Sequence, residues 1–258
     1  MKKIYHIDCT LRDGGYYNSW NFEDKIVKKY LNCMSSLNMD YVEFGFRFLK
    51  DTKNLGPFAS TTEKLISKYK IPSKLKLAVM INIGEFSLEN LKFELGKLFN
   101  NKSRSKVSLV RIATHHNEIE LAIKAAKILK KKGYQIAINL MQITEINQVS
   151  LKKILIKLKK SFLDYFYFAD SLGSLTVNQT KLICSTIKKN WNGPFGIHAH
   201  DNTEIALHNT IISLQNGATF ADSTVLGMGR GPGNVKTELL CSYLNSIKAK
   251  NYNLVFIT

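Results

Sequence analysis

The residues with the clearest chemical potential are His198 and His200, which end the short apolar run 195–197. Residues i and i+2 of a β-strand point to the same face of a sheet. Two imidazoles at this spacing can therefore offer nitrogen ligands to one divalent metal ion. Two half-buried histidines that hydrogen-bond to neighbouring groups would show the same pattern. A metal site therefore needs a carboxylate from elsewhere in the chain.

Asp13 is the candidate for that carboxylate, and Arg12 precedes it. An aspartate and two histidines, completed by water, an amide oxygen or substrate oxygens, would hold a divalent ion with open positions. Asn234 can offer its side-chain carbonyl as a further ligand. Such an ion polarises a ketone, so that an adjacent carbon becomes acidic or an adjacent bond can break. Arg12 could then donate hydrogen bonds to the developing enolate oxygen.

Eight short apolar runs alternate with amphipathic stretches along the whole chain. The runs predict strands at 4–9, 41–46, 76–83, 109–113, 135–140, 165–169, 196–199 and 220–223. The stretches predict helices at 23–37, 60–69, 87–100, 117–132, 147–162, 176–190, 203–216 and 235–250. Eight such units in about 250 residues are typical of an α/β fold of the (β/α)8 TIM-barrel type. A doubly wound open sheet is the alternative, but the regularity favours a closed barrel, and we expect a single domain over residues 1–258.

A barrel of this kind would bring the chemical candidates together. Catalytic residues of TIM barrels gather at the carboxyl ends of the strands. Asp13 follows the first predicted strand, His198 and His200 end the seventh, and Asn234 follows the eighth. The order of the elements therefore predicts a metal site at one mouth of the barrel.

The composition limits the classes of partner. The formal net charge of +17 could indicate a nucleic-acid or anionic-membrane partner. Most lysines fall inside predicted helices rather than in one basic, aromatic segment, so solvated helix faces are the favoured interpretation. We therefore expect no nucleic acid and no membrane partner, although the charge could attract anionic substrates.

The cysteines and the amino terminus indicate the compartment. The four cysteines are far apart and form no C-x-x-C pair, which is typical of reduced thiols in a cytoplasmic protein. Charged residues close to the start exclude a signal-peptide core. No apolar run approaches the roughly eighteen residues that a membrane span needs.

Three segments together resemble the signatures of the DRE-TIM metallolyases, the superfamily of 3-hydroxy-3-methylglutaryl-CoA lyase. These segments are Asp8-Cys9-Thr10-Leu11-Arg12-Asp13-Gly14, His198-Ala199-His200-Asp201-Asn202 and Gly229-Arg230-Gly231-Pro232-Gly233-Asn234. The resemblance covers nearly the whole chain in order. Within the superfamily the sequence is most similar to pyruvate aldolases of the 4-hydroxy-2-oxovalerate aldolase type.

The resemblance implies a ligand set and a role for the arginine. It implies Asp13, His198 and His200 as metal ligands, with Asn234 at a position that ligates or supports the metal. Arg12 matches the arginine that steadies the enolate. The ion implied is Mn or Mg, and more rarely Zn or Co.

Five further residues are expected near the substrate. Glu43 matches an acidic residue at the end of the second strand, and Asp170 and Ser171 match a pair that lies against the bound 2-oxo acid. Arg47 is our own candidate for binding a substrate anion, since a guanidinium fork matches a carboxylate. His115 is a further candidate. It is followed by His116, and since adjacent residues on a strand point in opposite directions, at most one of the two would face the pocket.

The sequence departs from the family pattern at the position of the general base. Tyr16 stands where the oxovalerate aldolases have a histidine that acts as general base. Tyrosine, with an ordinary pKa near 10, is a poor base at neutral pH without help. Tyr16, His115 or a metal-bound water could each serve, and Tyr16 could equally form an aromatic wall around the pocket.

The sequence is compatible with three functions. The leading hypothesis is a metal-dependent lyase that cleaves or forms a 4-hydroxy-2-oxo acid, so that its partners are a small 2-oxo acid and an aldehyde. A Claisen-type condensation of an acyl-CoA with a 2-oxo acid is the second. The third is a barrel that has lost catalysis and serves as a binding module. A homo-oligomer is compatible with each of them.

Overall fold

The structure, a computed structural model, describes residues 3–50 and 52–256. Eight parallel strands pair in sequence order, and the first pairs with the last, so the sheet closes into a barrel. The strands are β1 Tyr5–Asp8, β2 Tyr41–Phe46, β3 Lys76–Asn82, β4 Val107–Thr114, β5 Gln135–Leu140, β6 Tyr165–Asp170, β7 Phe195–Ala199 and β8 Phe220–Ser223. The predicted (β/α)8 TIM barrel is confirmed.

Helices follow the strands and surround the barrel. The described α-helices are α1 Thr10–Asp13, α2 Gly15–Asn18, α3 Asp24–Ser36, α4 Glu63–Ser67, α5 Leu91–Leu98, α6 Ile119–Lys131, α7 Gln148–Lys159, α8 Val177–Asn190, α9 Ala206–Gln215 and α10 Thr237–Ser246. Short 3-10 helices lie at Pro57–Ala59, Ile83–Glu85, Lys102–Arg104, His116–Glu118, Ile143–Glu145, Val225–Gly227 and Leu254–Phe256. No helix in the described ranges is long and apolar enough to cross a membrane.

Two apolar cores hold the fold together. The larger lies between the barrel wall and the surrounding helices. The smaller fills the barrel itself with inward-pointing side chains at alternate strand positions, as a strand's period of two requires. Its buried members are Ile7, Cys9, Tyr41, Ala78, Leu109, Ala137, Tyr167 and Phe220. This inner core closes the lower part of the barrel, so the polar residues further along the strands face the mouth.

The segment that carries Arg12 and Asp13 is helical, which the sequence patterns do not indicate. The first strand ends at Asp8, and α1 begins at Thr10. The indole N–H of Trp20 donates to the Arg12 carbonyl oxygen at 2.8 Å and fixes this turn against the next segment. Arg12 and Asp13 therefore project from a buried single turn, not from an extended loop.

Candidate active site

A pocket of about 310 Å³ opens at the carboxyl ends of the strands. Its wall contains Arg12, Asp13, His198 and His200 together. These four side chains are all less than a tenth exposed. The barrel therefore brings Arg12 and Asp13 to the same place as two histidines that follow them by 185 or more positions in the sequence.

Asp13 contacts Asn234 and lies close to His198, two of the three other candidate metal ligands. Its Oδ2 accepts a hydrogen bond from Asn234 Nδ2 at 2.7 Å and lies 3.5 Å from His198 Nε2. The imidazoles of His198 and His200 meet edge to face, with ring centroids 5.2 Å apart. His198 Nε2 and Asn234 Oδ1 are buried and have no hydrogen-bond partner. Because buried polar atoms are normally paired, these two are suited to a divalent ion beside Asp13.

The loop after β8 brings Asn234 to the histidines. The Asn234 N–H donates to the Gly227 carbonyl oxygen at 2.9 Å, and Asn234 forms a β-bridge with His200. Gly233 adopts a φ of 98°, and a Cβ there would lie 2.0 Å from the Gly227 oxygen. Glycine is therefore required for the tight turn that aims Asn234 at Asp13.

Asp222 fixes the orientation of His198 from below. Its Oδ2 lies 3.0 Å from His198 Nδ1, so the other nitrogen, Nε2, faces Asp13. A carboxylate on one ring nitrogen is the usual way to orient a metal-binding histidine. Burial lowers the pKa of His198 well below its ordinary value and also lowers that of His200, which keeps both imidazoles neutral, as ligands must be.

Two buried arginines connect Asp222 to Asp13. Arg111 donates to Asp222 at 2.5 Å and to Glu43 at 3.1 Å. Arg12 donates from Nε to Glu43 at 2.7 Å and pairs with Asp13 through Nη1. Together with His198 these residues form a closed circuit of charged and hydrogen-bonded side chains, which we call the ionic ring. Because each charge is paired, the ring can stay buried without an isolated ion.

Another set of metal-binding residue types surrounds the opposite nitrogen of His198. Ligand atoms of Cys9, His198 and Asp222 lie within 4.8 Å of one another. The guanidinium of Arg111 contacts two members of this group and lies 3.4 Å from Cys9 Sγ and 2.5 Å from Asp222 Oδ2. Burial also raises the pKa of the Cys9 thiol well above its ordinary value, so thiolate ligation is disfavoured. We therefore assign the candidate metal position to the Asp13 side of His198.

Arg47 does not reach the pocket, and the anion-binding role predicted for it does not fit its position. Its guanidinium donates to the carbonyl oxygens of Thr61 at 3.0 Å and Leu98 at 2.8 Å, and to Glu63 at 2.7 Å. The strand has a register shift between Glu43 and Phe46. This β-bulge reverses the alternation of faces, so Phe46 lines the pocket and Arg47 points into the wall.

Asp170 and Ser171 are adjacent at the end of β6, and their side chains point in opposite directions. Ser171 lines the pocket, whereas the Asp170 carboxylate accepts the N–H groups of Ser174 and Leu175, each at 3.0 Å. The substrate contact predicted for Asp170 therefore does not fit its orientation. Its carbonyl oxygen accepts the His200 N–H at 3.2 Å, so Asp170 supports the loop and the candidate metal ligand His200 instead.

The remaining predicted residues divide between the pocket and its support. Tyr16 and His115 line the pocket, whereas Glu43 lies behind Arg12 as part of the ionic ring. Tyr16 is 46% exposed and packs edge to face on Trp20. Burial, and then the charge of Asp13, raise the pKa of Tyr16, which makes it a poorer base at neutral pH.

Asp222 and Arg111 contact the candidate site residues from behind, and neither is among the site residues predicted from the sequence. Each occupies an inward position of a buried strand, two residues beyond an inner-core residue (Phe220 and Leu109). A charged residue at such a position must find a partner inside the barrel. Applying strand alternation to every predicted strand would have identified both.

The closed barrel and the four gathered ligand types define the class of protein: a barrel enzyme with a candidate divalent-metal centre at its mouth. The chain belongs to the HMGL-like family, whose model matches residues 3–255. The family resemblance predicted from the three motifs is confirmed.

The relatives and neighbours agree with that family. A 4-hydroxy-2-oxovalerate aldolase from Carboxydothermus hydrogenoformans is 30% identical, over 94% of this chain and 71% of that protein. One from Moorella thermoacetica is 26% identical, over 95% and 71%. The N-terminal domain of a candidate aldolase from Bacteroides vulgatus superposes with a TM-score of 0.86 at 34% identity, covering 98% of this chain and 83% of that one. An HMG-CoA lyase from Bacillus subtilis, at 15% identity and a TM-score of 0.81 over 100% and 91%, shares the fold.

Proposed function

We propose that this protein is a divalent-metal-dependent aldolase that cleaves or forms a 4-hydroxy-2-oxo acid through a pyruvate-type enolate. The observation that carries the proposal is the arrangement of Arg12 beside the four-ligand group. The names of the aldolase relatives support the same reaction. The substrates are then a small 2-oxo acid and an aldehyde.

Asp13, His198, His200 and Asn234 would hold the metal ion. Two of the four donors are oxygens of Asp13 and Asn234, which favours the harder ions Mn and Mg over Zn or Co. The HMGL-like family depends on a divalent metal. When bound, the ion acts as a Lewis acid on the oxo group of the substrate.

Arg12 is prepared to stabilise the enolate oxygen. Glu43 and Asp13 hold its Nε and Nη1. Its Nη2 is buried and has no hydrogen-bond partner, so this N–H group is left for the substrate. A fixed donor directed at a developing oxyanion is typically worth a few kcal/mol of transition-state stabilisation.

The proton of the 4-hydroxyl group goes to His115 in this proposal. His115 is half-buried and lines the same pocket as Arg12. Histidine is the side chain most often used for proton transfer, whereas the raised pKa of Tyr16 disfavours it as a base. Tyr16 then forms the aromatic wall above the site.

Ser171 completes the substrate contacts. Its Oγ accepts the N–H of Gln142 at 3.2 Å, which leaves the hydroxyl hydrogen free to donate to the carboxylate of a 2-oxo acid. The buried thiols of Cys9, Cys184 and Cys241 support the proposal that the enzyme works in the reducing cytoplasm. Neither a nucleic acid nor a membrane is needed for this reaction.

The direct test replaces the central ligand. Asp13→Asn should lower Mn-dependent cleavage of 4-hydroxy-2-oxovalerate by at least about 100-fold, because the neutral amide weakens the metal site and leaves Arg12 with Glu43 as its remaining ion-pair partner. Glu120→Gln, which removes a carboxylate from the exposed surface of α6, is the matched control and should keep full activity. Full activity in Asp13→Asn would refute the mechanism. Thiol release from acetyl-CoA with a 2-oxo acid would instead indicate a condensing enzyme.

A further inference from the structure

The chain contains five arginines. One of them, Arg230, lines the pocket without forming an ion pair within the described residues. Arg12, Arg47 and Arg111 are buried and paired with carboxylates. Arg104 lies before β4, at the opposite end of the barrel. Arg230 is exposed, lines the pocket, and forms no ion pair within the described part of the chain.

The backbone holds Arg230 in a defined position next to the candidate metal centre. Its carbonyl oxygen accepts the Gly233 N–H at 3.3 Å. The guanidinium carbon lies 5.9 Å from the centre of the Tyr16 ring. Arg230 thus forms the outer wall of the pocket, on the side away from the barrel floor.

The charged residues that line the pocket leave the positive charge of Arg230 without a compensating negative charge. Asp13 is the one carboxylate in the described lining, and Arg12 already pairs with it. No lysine in the described lining could add to the charge of Arg230. A single planar guanidinium matches one carboxylate with two parallel hydrogen bonds.

We propose that Arg230 binds a carboxylate at the far end of the substrate, so that the preferred 4-hydroxy-2-oxo acid is a dicarboxylic acid and its aldehyde fragment is anionic. This inference rests on the proposed function, because it places the 2-oxo acid group at Arg12 and the other end at Arg230. It also makes Arg230 a specificity-determining residue of the same pocket.

A pair of unreactive acids of equal chain length tests the proposal. 2-Oxoglutarate and 2-oxovalerate both have five carbons and differ at the far end, a carboxylate against a methyl group. Calorimetric titration of the Mn-loaded protein should show at least about 10-fold tighter binding of 2-oxoglutarate. Arg230→Gln should bring the ratio of the two dissociation constants close to one, while Arg104→Gln, which removes the same charge elsewhere, should keep it.

Two results would overturn the inference: equal affinity of the wild-type protein for both acids, or an unchanged ratio in Arg230→Gln. The same samples should be assayed for proton exchange at the methyl group of pyruvate. A preserved preference for 2-oxoglutarate without any exchange would refute the aldolase proposal and leave the role of Arg230 standing. Exchange without the preference would do the reverse.

Discussion

At the scale of single residues, the partner of each charge decides what that residue can do. Arg12 and Arg111 share the carboxylate of Glu43, and Arg111 also holds Asp222. Since Asp222 in turn contacts His198 Nδ1, the geometry of a metal ligand depends on residues that do not line the pocket. In the proposed mechanism, metal binding and oxyanion stabilisation would therefore both depend on the ionic ring.

Asp222→Asn is expected to weaken Mn binding about 10- to 100-fold, because the amide holds the imidazole of His198 less firmly in the orientation that aims Nε2 at Asp13. The measurement is competitive titration with a fluorescent Mn chelator. Cys9→Ser, which also contacts Arg111 in the same buried layer, is the matched control and should bind Mn as the wild type does. Unchanged affinity in Asp222→Asn would show that His198 is oriented by other contacts.

Arg47→Gln should lower the free energy of unfolding without changing the affinity for the 2-oxo acid. The variant leaves the buried Thr61 carbonyl, the part-buried Leu98 carbonyl and Glu63 without their donor, which typically costs about 2 to 4 kcal/mol. Urea unfolding measures the first effect, and the KM for the 2-oxo acid measures the second. A large rise in KM with unchanged stability would restore the anion-binding role to Arg47.

Much of the candidate site could be predicted from the sequence because its candidate ligands end strands or follow them in the chain. Asp13, His198, His200 and Asn234 meet at the mouth for that reason. The errors at Arg47 and Asp170 concern side-chain direction, which a one-residue bulge or a neighbouring N–H group decides. Neither leaves a periodic signal in the sequence.

At the scale of elements, the bulge in β2 determines which face of the strand each residue occupies. Gly45 has a φ of 141°, and a Cβ there would lie 2.2 Å from the Phe58 carbonyl oxygen. The close approach allows Phe46 to turn inward, where its ring lies 5.7 Å from the Arg12 guanidinium carbon. A backbone detail of one strand thus shapes the pocket wall.

Gly45→Ala is expected to destabilise the protein by about 2 kcal/mol or more, since the new methyl group meets backbone at a φ that only glycine adopts easily. Gly96→Ala is the matched control, because nothing lies within 4 Å of a Cβ at this position in α5. That change should stabilise by about 0.5 to 1 kcal/mol. Thermal unfolding of both variants measures the difference, and equal melting temperatures would contradict the packing described for the bulge.

The limits of three strands could be read from the sequence, while the two shortest helices could not. The predicted strands 41–46, 135–140 and 220–223 agree with β2, β5 and β8 to the residue. In contrast, α1 and α2 have four residues each, too few for a 3.6-residue period to be recognised. Their conformation depends on tertiary contacts such as that of Trp20 with Arg12.

At the scale of the whole molecule, a buried histidine joins the first strand, the last strand and the carboxyl-terminal segment. The two ring nitrogens of His6 contact Tyr252 Oη at 2.9 Å and Ser223 Oγ at 2.5 Å. The backbone N–H of His6 donates to the Asp40 carboxylate at 2.8 Å, and Lys250 pairs with the same carboxylate. These contacts lie on the outside of the seam where β1 pairs with β8 and the barrel closes.

Acid should lower the stability of the protein through the contacts at this seam. Burial, and then the charge of Lys250, lower the pKa of His6 to about 3 from an ordinary value of 6.5. The unfolded chain therefore binds a proton that the folded protein rejects between these values, and stability falls as the pH drops from 6.5 towards 3. The effect should reach about 2 to 3 kcal/mol at pH 4.5.

The decrease in melting temperature between pH 7 and pH 4.5 should accordingly be smaller in His6→Asn than in the wild type. The imidazole is then absent from both folded and unfolded states, and its contribution to the pH dependence disappears. His208→Asn on α9 serves as the control for removing a histidine. An equal decrease in the wild type and His6→Asn would contradict the burial of a neutral His6.

The most direct test of the central proposal is solvent deuterium exchange into the methyl group of pyruvate, followed by NMR. The purified protein with Mn should catalyse the exchange, because polarisation of the oxo group and the free N–H of Arg12 both favour the enolate. Exchange should disappear when a chelator removes the metal and return when Mn is restored. No exchange with Mn present, or exchange that the chelator leaves unchanged, would contradict a metal-dependent pyruvate aldolase.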